Sequence, residues 1–176
     1  MDRKTLKTIF QASYYKPSQS AKELENIGFV QDPALSSNEA KVFYNPTTKE
    51  AHIAHRGTTT LKDIGTDITL ALGYTPKRLT EARRLTKAVK EKYDTPVTAY
   101  GTSMGGYLAE KSGADKVYTY NKAVAPQDIL KRTSKKQTDY RTSTDIVSLP
   151  SILQGKKKTI RAPYFNPLKA HSVKAF

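Results

Sequence analysis

The chain has 176 residues, 37% of them hydrophobic and 26% charged, a balance that can bury one core and excludes a disordered chain. There is no cysteine, which excludes disulfides, thiolate metal sites and a thiol nucleophile. Thirty Lys and Arg against sixteen Asp and Glu give a net charge of +14, which attracts anions such as phospholipid head groups, nucleic acid or an acidic partner. Between Asn121 and Phe176 stand twelve basic and three acidic side chains, so nine of those fourteen charges fall in the last third. The plainer reading of that stretch is a solvated basic face. The N-terminal Met-Asp-Arg-Lys-Thr-Leu-Lys lacks the apolar core of a secretion signal, and no run approaches membrane-spanning length, so an intracellular or particle-associated protein is expected.

Residues 2–15 place Leu6, Ile9, Phe10 and Tyr14 on one stripe opposite Lys and Arg, which predicts an amphipathic helix. A second short helix is expected after Ser20 as its cap, with Glu23 three residues on and Gly28 ending it. Phe29–Gln31 reads as a brief strand. Ala40–Tyr44 and Glu50–Arg56 read as a hairpin around Asn-Pro-Thr-Thr-Lys. His52 and His55 in its second strand fall on different faces or depths, and a metal site from this pair is not expected. Gly57 allows an abrupt turn into three threonines, where an N–H and a hydroxyl can meet a ligand. Residues 73–77 read as a loop. Thr80–Tyr93 is the clearest helix, capped by Thr80, with Leu79, Ala82, Leu85, Ala88 or Val89, and Tyr93 as its apolar stripe.

Residues 97–109, Val-Thr-Ala-Tyr-Gly-Thr-Ser-Met-Gly-Gly-Tyr-Leu-Ala, read as a strand, a sharp turn and a helix. That is Gly-x-Ser-x-Gly in the setting its chemistry requires, with Ser103 at a strained apex above a helix N-terminus. Gly101 and Gly105 leave no Cβ where strand and helix backbones converge, and the N–H of Met104 points where an oxyanion would form. Strands are expected at Lys116–Tyr120, Asp139–Thr144 and Lys156–Arg161, with residues 125–137 a basic helix or loop. Helix–strand–turn–helix order predicts an α/β fold, mostly parallel, with helices on both faces and the whole chain one domain. A serine hydroxyl needs a base oriented by a third group. Asp145 leaves a late strand and His171 lies near the C-terminus, the Ser…Asp…His order of α/β-hydrolases. Asp128 and Asp139 are rival acids, although Asp139 opens a strand instead of leaving one.

From Lys41 onward the sequence resembles the class 3 (fungal-type) lipases of the α/β-hydrolase superfamily, on four blocks. Ala-His-Ile-Ala-His-Arg-Gly-Thr-Thr-Thr, with Asp67 further on, is similar to the family's strand and oxyanion block. Gly-Thr-Ser-Met-Gly-Gly-Tyr-Leu-Ala is similar to its elbow, Arg-Thr-Ser-Thr-Asp-Ile-Val-Ser-Leu-Pro to its acid block, and His171-Ser-Val to its histidine block. The resemblance implies Ser103 as nucleophile, His171 as base and Asp145 as orienting acid. It further implies Thr58 and the Met104 N–H as oxyanion hole, Asp67 as a buried support, and no metal or organic cofactor. Three departures stand out. Thr102 occupies the family's histidine position before the serine, Ile64 its lid tryptophan position, and the stretch from Asp145 to His171 is compressed. A minimal, open site for short esters or bonds near lipid head groups fits these departures as well.

The expected function is therefore hydrolysis of carboxylic esters of lipids through an acyl-enzyme, with lipid or ester as substrate. An anionic membrane surface is a natural partner, each nearby Lys or Arg contributing about 1 kcal/mol. Two other readings are open at this stage. One is a catalytically idle hydrolase fold that binds membrane or nucleic acid through its basic third, nucleic acid being the less favoured. The other is a hydrolase of non-lipid esters, amides or thioesters, since acyl transfer shares one apparatus.

Overall fold

A computed structural model of the chain describes residues 1–57, 76–155, 157–161 and 166–176. Helix α1, Arg3–Ala12, opens on Asp2, whose carboxylate accepts the Thr5 N–H at 3.0 Å, and it buries Leu6, Ile9 and Phe10 as its stripe predicts. Helix α2, Pro17–Glu25, starts three residues before the expected cap Ser20. A proline at the first helical position has its φ preset and lacks only an N–H that would be unpaired anyway. Ser20 therefore lies inside the helix, buried, with its hydroxyl on Gln31 Oε1 at 2.5 Å. Gly28, at φ +83°, ends the turn as expected.

Strand β1, Val30–Gln31, pairs antiparallel with β2, Ala40–Tyr44, which pairs antiparallel with β3, Ala51–His55, Ala40 lying opposite His55. Strands β4, Val97–Thr102, β5, Lys116–Tyr120, β6, Gln137–Thr142, and β7, Lys158–Ile160, then add in parallel. Their order across the sheet is their order in the chain. β6 starts and ends two residues earlier than expected, and β7 is shorter than expected. Helix α3, Pro76–Tyr93, begins a turn ahead of Thr80, so Thr80 is not its cap, and here too a proline takes the first position. Helix α4, Met104–Lys111, follows β4 directly. The basic segment after β5 holds one short 3-10 turn, Pro126–Asp128, and otherwise loop.

Because each parallel strand is added on the same side of the last, right-handed crossovers put their connections on one face. Val89 of α3 packs there on Val42, Ile53 and Val97, and Ala109 of α4 on Ala99 and Val117. The opposite face is closed by α1 and the C-terminal residues over an aromatic layer. Phe43 and Tyr100 stack at 6.1 Å, Tyr100 and Tyr118 at 5.6 Å, and Phe10 meets Phe176 edge-on at 5.3 Å. Helices thus cover both faces. Among the described residues no helix is long and apolar enough to cross a membrane.

Beneath α4 the sheet hides an ionic cluster. Buried Lys122 pairs with Glu110 of α4 and lies 3.7 Å from Asp139, which also pairs with Lys157. Asp139 accepts from Thr119 Oγ1 and Gln137 Nε2, both at 2.6 Å. The rival acid Asp139 is thus fully engaged inside the protein, and Asp128 is held by Lys111 at 3.1 Å and Lys131 at 2.7 Å.

Candidate active site

Ser103 follows β4 with φ 51° and ψ −125° and stands at the N-cap of α4. Few non-glycine residues hold such a backbone, which persists only where its surroundings enforce it. Here they do. A Cβ at Gly101 would overlap the Gly105 carbonyl, and one at Gly105 would strike the backbone of His55 and Arg56. Two strands and a helix therefore meet backbone against backbone at the turn. Ser103 is buried, and its hydroxyl has no hydrogen-bond partner among the described residues. Met104 is the first helical residue, so its N–H lies ahead of the helix's own acceptors and is free to bind developing negative charge. Arg78 of α3 braces this corner, donating to Met104 Sδ at 3.0 Å and to the Arg56 carbonyl at 3.2 Å.

Asp145 follows β6, and His171 ends helix α5, Pro167–His171. Across 26 residues, His171 Nδ1 lies 2.7 Å from Asp145 Oδ1. The second carboxylate oxygen accepts the Ser148 N–H at 2.8 Å, and Arg141 donates to the Asp145 carbonyl at 3.1 Å. With Nδ1–H given to a carboxylate, Nε2 carries the lone pair of a general base. The chain's other two histidines are poor rivals. His52 stacks on Phe43 and bonds Tyr100 Oη at 3.1 Å on the aromatic face, while His55 faces the opposite way. Burial holds both down to about 4, with Glu50 slightly opposing the shift at His52 and Arg78 adding to it at His55.

One strand end touches both halves of the site. The Ser103 N–H donates to the Tyr120 carbonyl and the Ala123 N–H to the Ser103 carbonyl, each at 3.1 Å. Between them Asn121, at φ 46°, donates through its amide to the Ala170 carbonyl at 3.0 Å and the His171 carbonyl at 3.4 Å. Its amide oxygen accepts the Thr142 N–H at 2.8 Å. Tyr120 Oη adds bonds to the Ala170 and Ser172 carbonyls at 3.3 Å. Asn121 and Tyr120 thus fix the histidine helix to the strand that borders the serine turn. Neither was legible as a site residue, because a buried asparagine after a strand has no motif of its own.

Thr102, in the position before the serine, shares a short hydrogen bond with Tyr14 Oη, and a Cβ at Gly57 would collide with Tyr14 Oη and the Thr102 carbonyl. Tyr14 was expected only as a member of the α1 stripe. Its phenol is pushed up by burial, against the opposing Thr102 bond. Tyr14→Phe should strand the buried Thr102 hydroxyl and cost about 1–2 kcal/mol, a fall of roughly 3–6 °C in a thermal melt. An unchanged melt would mean that this bond contributes nothing. The expected oxyanion residue Thr58 and support Asp67, together with Ile64, lie outside the described residues. Among the described residues no group of three or more His, Cys, Asp or Glu could hold a metal ion.

A family model described as a phospholipase-like, Tle-like phospholipase domain matches residues 8–158. No curated protein matches the sequence. Among solved structures, the Lip2 lipase of Yarrowia lipolytica is similar with a TM-score of 0.54 at 17% identity, over 97% of this chain and 84% of that one. Rhizomucor miehei lipase in its propeptide complex is similar with a TM-score of 0.53 at 15% identity, over 86% of this chain. The alignment takes in 63% of that lipase, so this chain spans less than two-thirds of its length. At such identities the likeness is one of fold, a mostly parallel lipase sheet with helices on both faces.

Proposed function

The chain belongs to the family of Tle-like phospholipase domains, and on that premise we propose that it is a single-domain serine hydrolase cleaving carboxylic esters of lipids. One observation carries the reading: His171 is bonded to Asp145 at 2.7 Å, and the strand end that anchors the histidine helix also anchors Ser103, whose hydroxyl has no partner among the described residues. In the first step Ser103 Oγ attacks the ester carbonyl while its proton passes to His171 Nε2. The negative charge gathers on the carbonyl oxygen beside the Met104 N–H, with Thr58 as the second donor that its motif implies. The tetrahedral species breaks its bond to the alcohol, which leaves with the proton from His171. Water then adds to the acyl-serine, again through His171, and releases the acid. Every proton moves among these groups, so the scheme calls for no metal or organic cofactor. Phospholipid is the favoured substrate class, because a chain with a net charge of +14 is drawn to anionic lipid.

A fluorophosphonate probe tests the nucleophile. Wild type should label and Ser103→Ala should not, and an ester chain-length series beside it separates esterase from lipase. Absence of label on folded wild type would overturn the reading.

A further inference from the structure

The segment that carries the candidate acid also carries a surface the hydrolytic chemistry does not use. Between residues 146 and 153, Ile146 is 52% exposed, Leu149 54%, Ile152 46% and Leu153 62%. Leu149–Gln154 is a 3-10 helix, in which residues three apart stand above one another. The Leu149 N–H bonds back to the Ile146 carbonyl at 3.3 Å and extends the same winding upstream. Ile146, Leu149 and Ile152 therefore form one line, with Leu153 beside it. Gln154 holds the neighbouring loop against this ridge, donating to the Asp128 carbonyl at 2.7 Å and accepting the Thr133 N–H at 3.0 Å. That loop adds Leu130, 84% exposed. Clustered exposed aliphatic side chains of this kind mark an interaction site.

The exposed charge of the last third of the chain has one sign. The three acids between residues 121 and 176 are Asp128, Asp139 and Asp145, and all three are buried. The exposed charges of this third are therefore basic, among them Arg132 and Lys135 after Leu130 and Lys158 and Arg161 after the ridge. Aliphatic chains have no place on a nucleic-acid backbone, whereas an apolar ridge in a basic stretch of chain matches the interface of an anionic bilayer.

We propose that this ridge docks the protein on anionic phospholipid bilayers, its leucines and isoleucines among the upper acyl chains and its cations on head-group phosphates. The Ser148 N–H bond to Asp145 at 2.8 Å ties the ridge to the candidate acid, so docking here would hold the acid's end of the site close to lipid. That benefit to turnover rests on the hydrolase reading above, whereas the binding itself does not.

The test is flotation of the Ser103→Ala protein with phosphatidylglycerol–phosphatidylcholine vesicles, so that turnover does not intervene. Binding should exceed that to phosphatidylcholine alone and weaken with salt. Leu149→Asp with Leu153→Asp should cut partitioning about tenfold or more, since each leucine kept out of lipid forfeits roughly that factor. Lys87→Glu on α3 makes the same change in net charge and should bind as its parent does. Leu130→Asp, at the most exposed position, should give a separate several-fold loss and keeps the test intact should the double variant melt early. Equal losses from Lys87→Glu and from the ridge variants, or capture of duplex DNA in preference to vesicles, would overturn the proposal. Vesicle binding without fluorophosphonate labelling would sustain the docking surface and remove the hydrolase, and labelling without binding would do the reverse.

Discussion

Asp145→Asn should lower kcat/KM on a short, soluble ester by about four orders of magnitude while leaving the protein folded. The reason lies in how the carboxylate is shared. One oxygen faces His171 Nδ1 at 2.7 Å, and the other accepts the Ser148 N–H at 2.8 Å. A backbone N–H can only donate, so an asparagine must turn its single carbonyl oxygen toward Ser148. Its NH2 then falls to His171 and, being a donor, requires an unprotonated Nδ1. The ring proton moves to Nε2, the atom that in the proposed mechanism receives the proton of Ser103. Geometry survives and the tautomer is wrong. The measurement is kcat/KM against pH with a thermal melt alongside, and a loss under about tenfold in a folded protein would remove Asp145 from the triad.

Lys122→Met should be the most damaging single change to stability, costing about 3–5 kcal/mol of the roughly 5–15 that a domain has. The lysine is buried and pairs with Glu110, with Asp139 3.7 Å away. Methionine fills the space but leaves both carboxylates short of a partner. Burial pushes those carboxylates up, yet the charge of Lys122 and the hydrogen bonds around it outweigh burial, and both sit below their ordinary range. Because the folded values lie below the unfolded ones, their contribution is complete above about pH 5 and drains away as the pH falls further. In Lys122→Met the Lys122 charge is gone while Lys157 and Lys111 remain, so burial raises both acids relative to the parent and protonation relieves part of the loss. The gap in melting temperature between parent and variant should therefore narrow from pH 6 toward about pH 4. A gap that holds constant with pH would show that lost packing, not lost pairing, sets the cost.

The parts that could be read from sequence were those whose physics is local. The serine turn is visible because Gly101 and Gly105 must lack side chains where backbones collide, and α1 because its stripe repeats with helical spacing. Asp145 and His171 are joined in the sequence only by their order after Ser103 and by strand-end placement, with the resemblance added, since 26 residues separate partners that share no local pattern. Helix starts misled for one reason: Ser20 and Thr80 are good caps, but Pro17 and Pro76 upstream are good first residues and prevailed. Asn121, Tyr14 and the Lys122 cluster stayed hidden because each acts through partners brought close only by the fold.

The winding of the sheet predicts assembly of the site in two stages. Each neighbouring strand pair joins segments that follow one another in the chain, so the sheet, and with it the serine turn between β4 and α4, can condense by closures between consecutive strands. The aromatic face is sealed differently, by contacts such as Arg3 to the Phe176 carbonyl at 2.5 Å, 173 residues apart, and the entropic cost of closure grows with that separation. His171 belongs to this second stage, through the helix that Tyr120 and Asn121 receive. The candidate nucleophile is thus expected from early, neighbourly folding, and the candidate base from the last long-range closure.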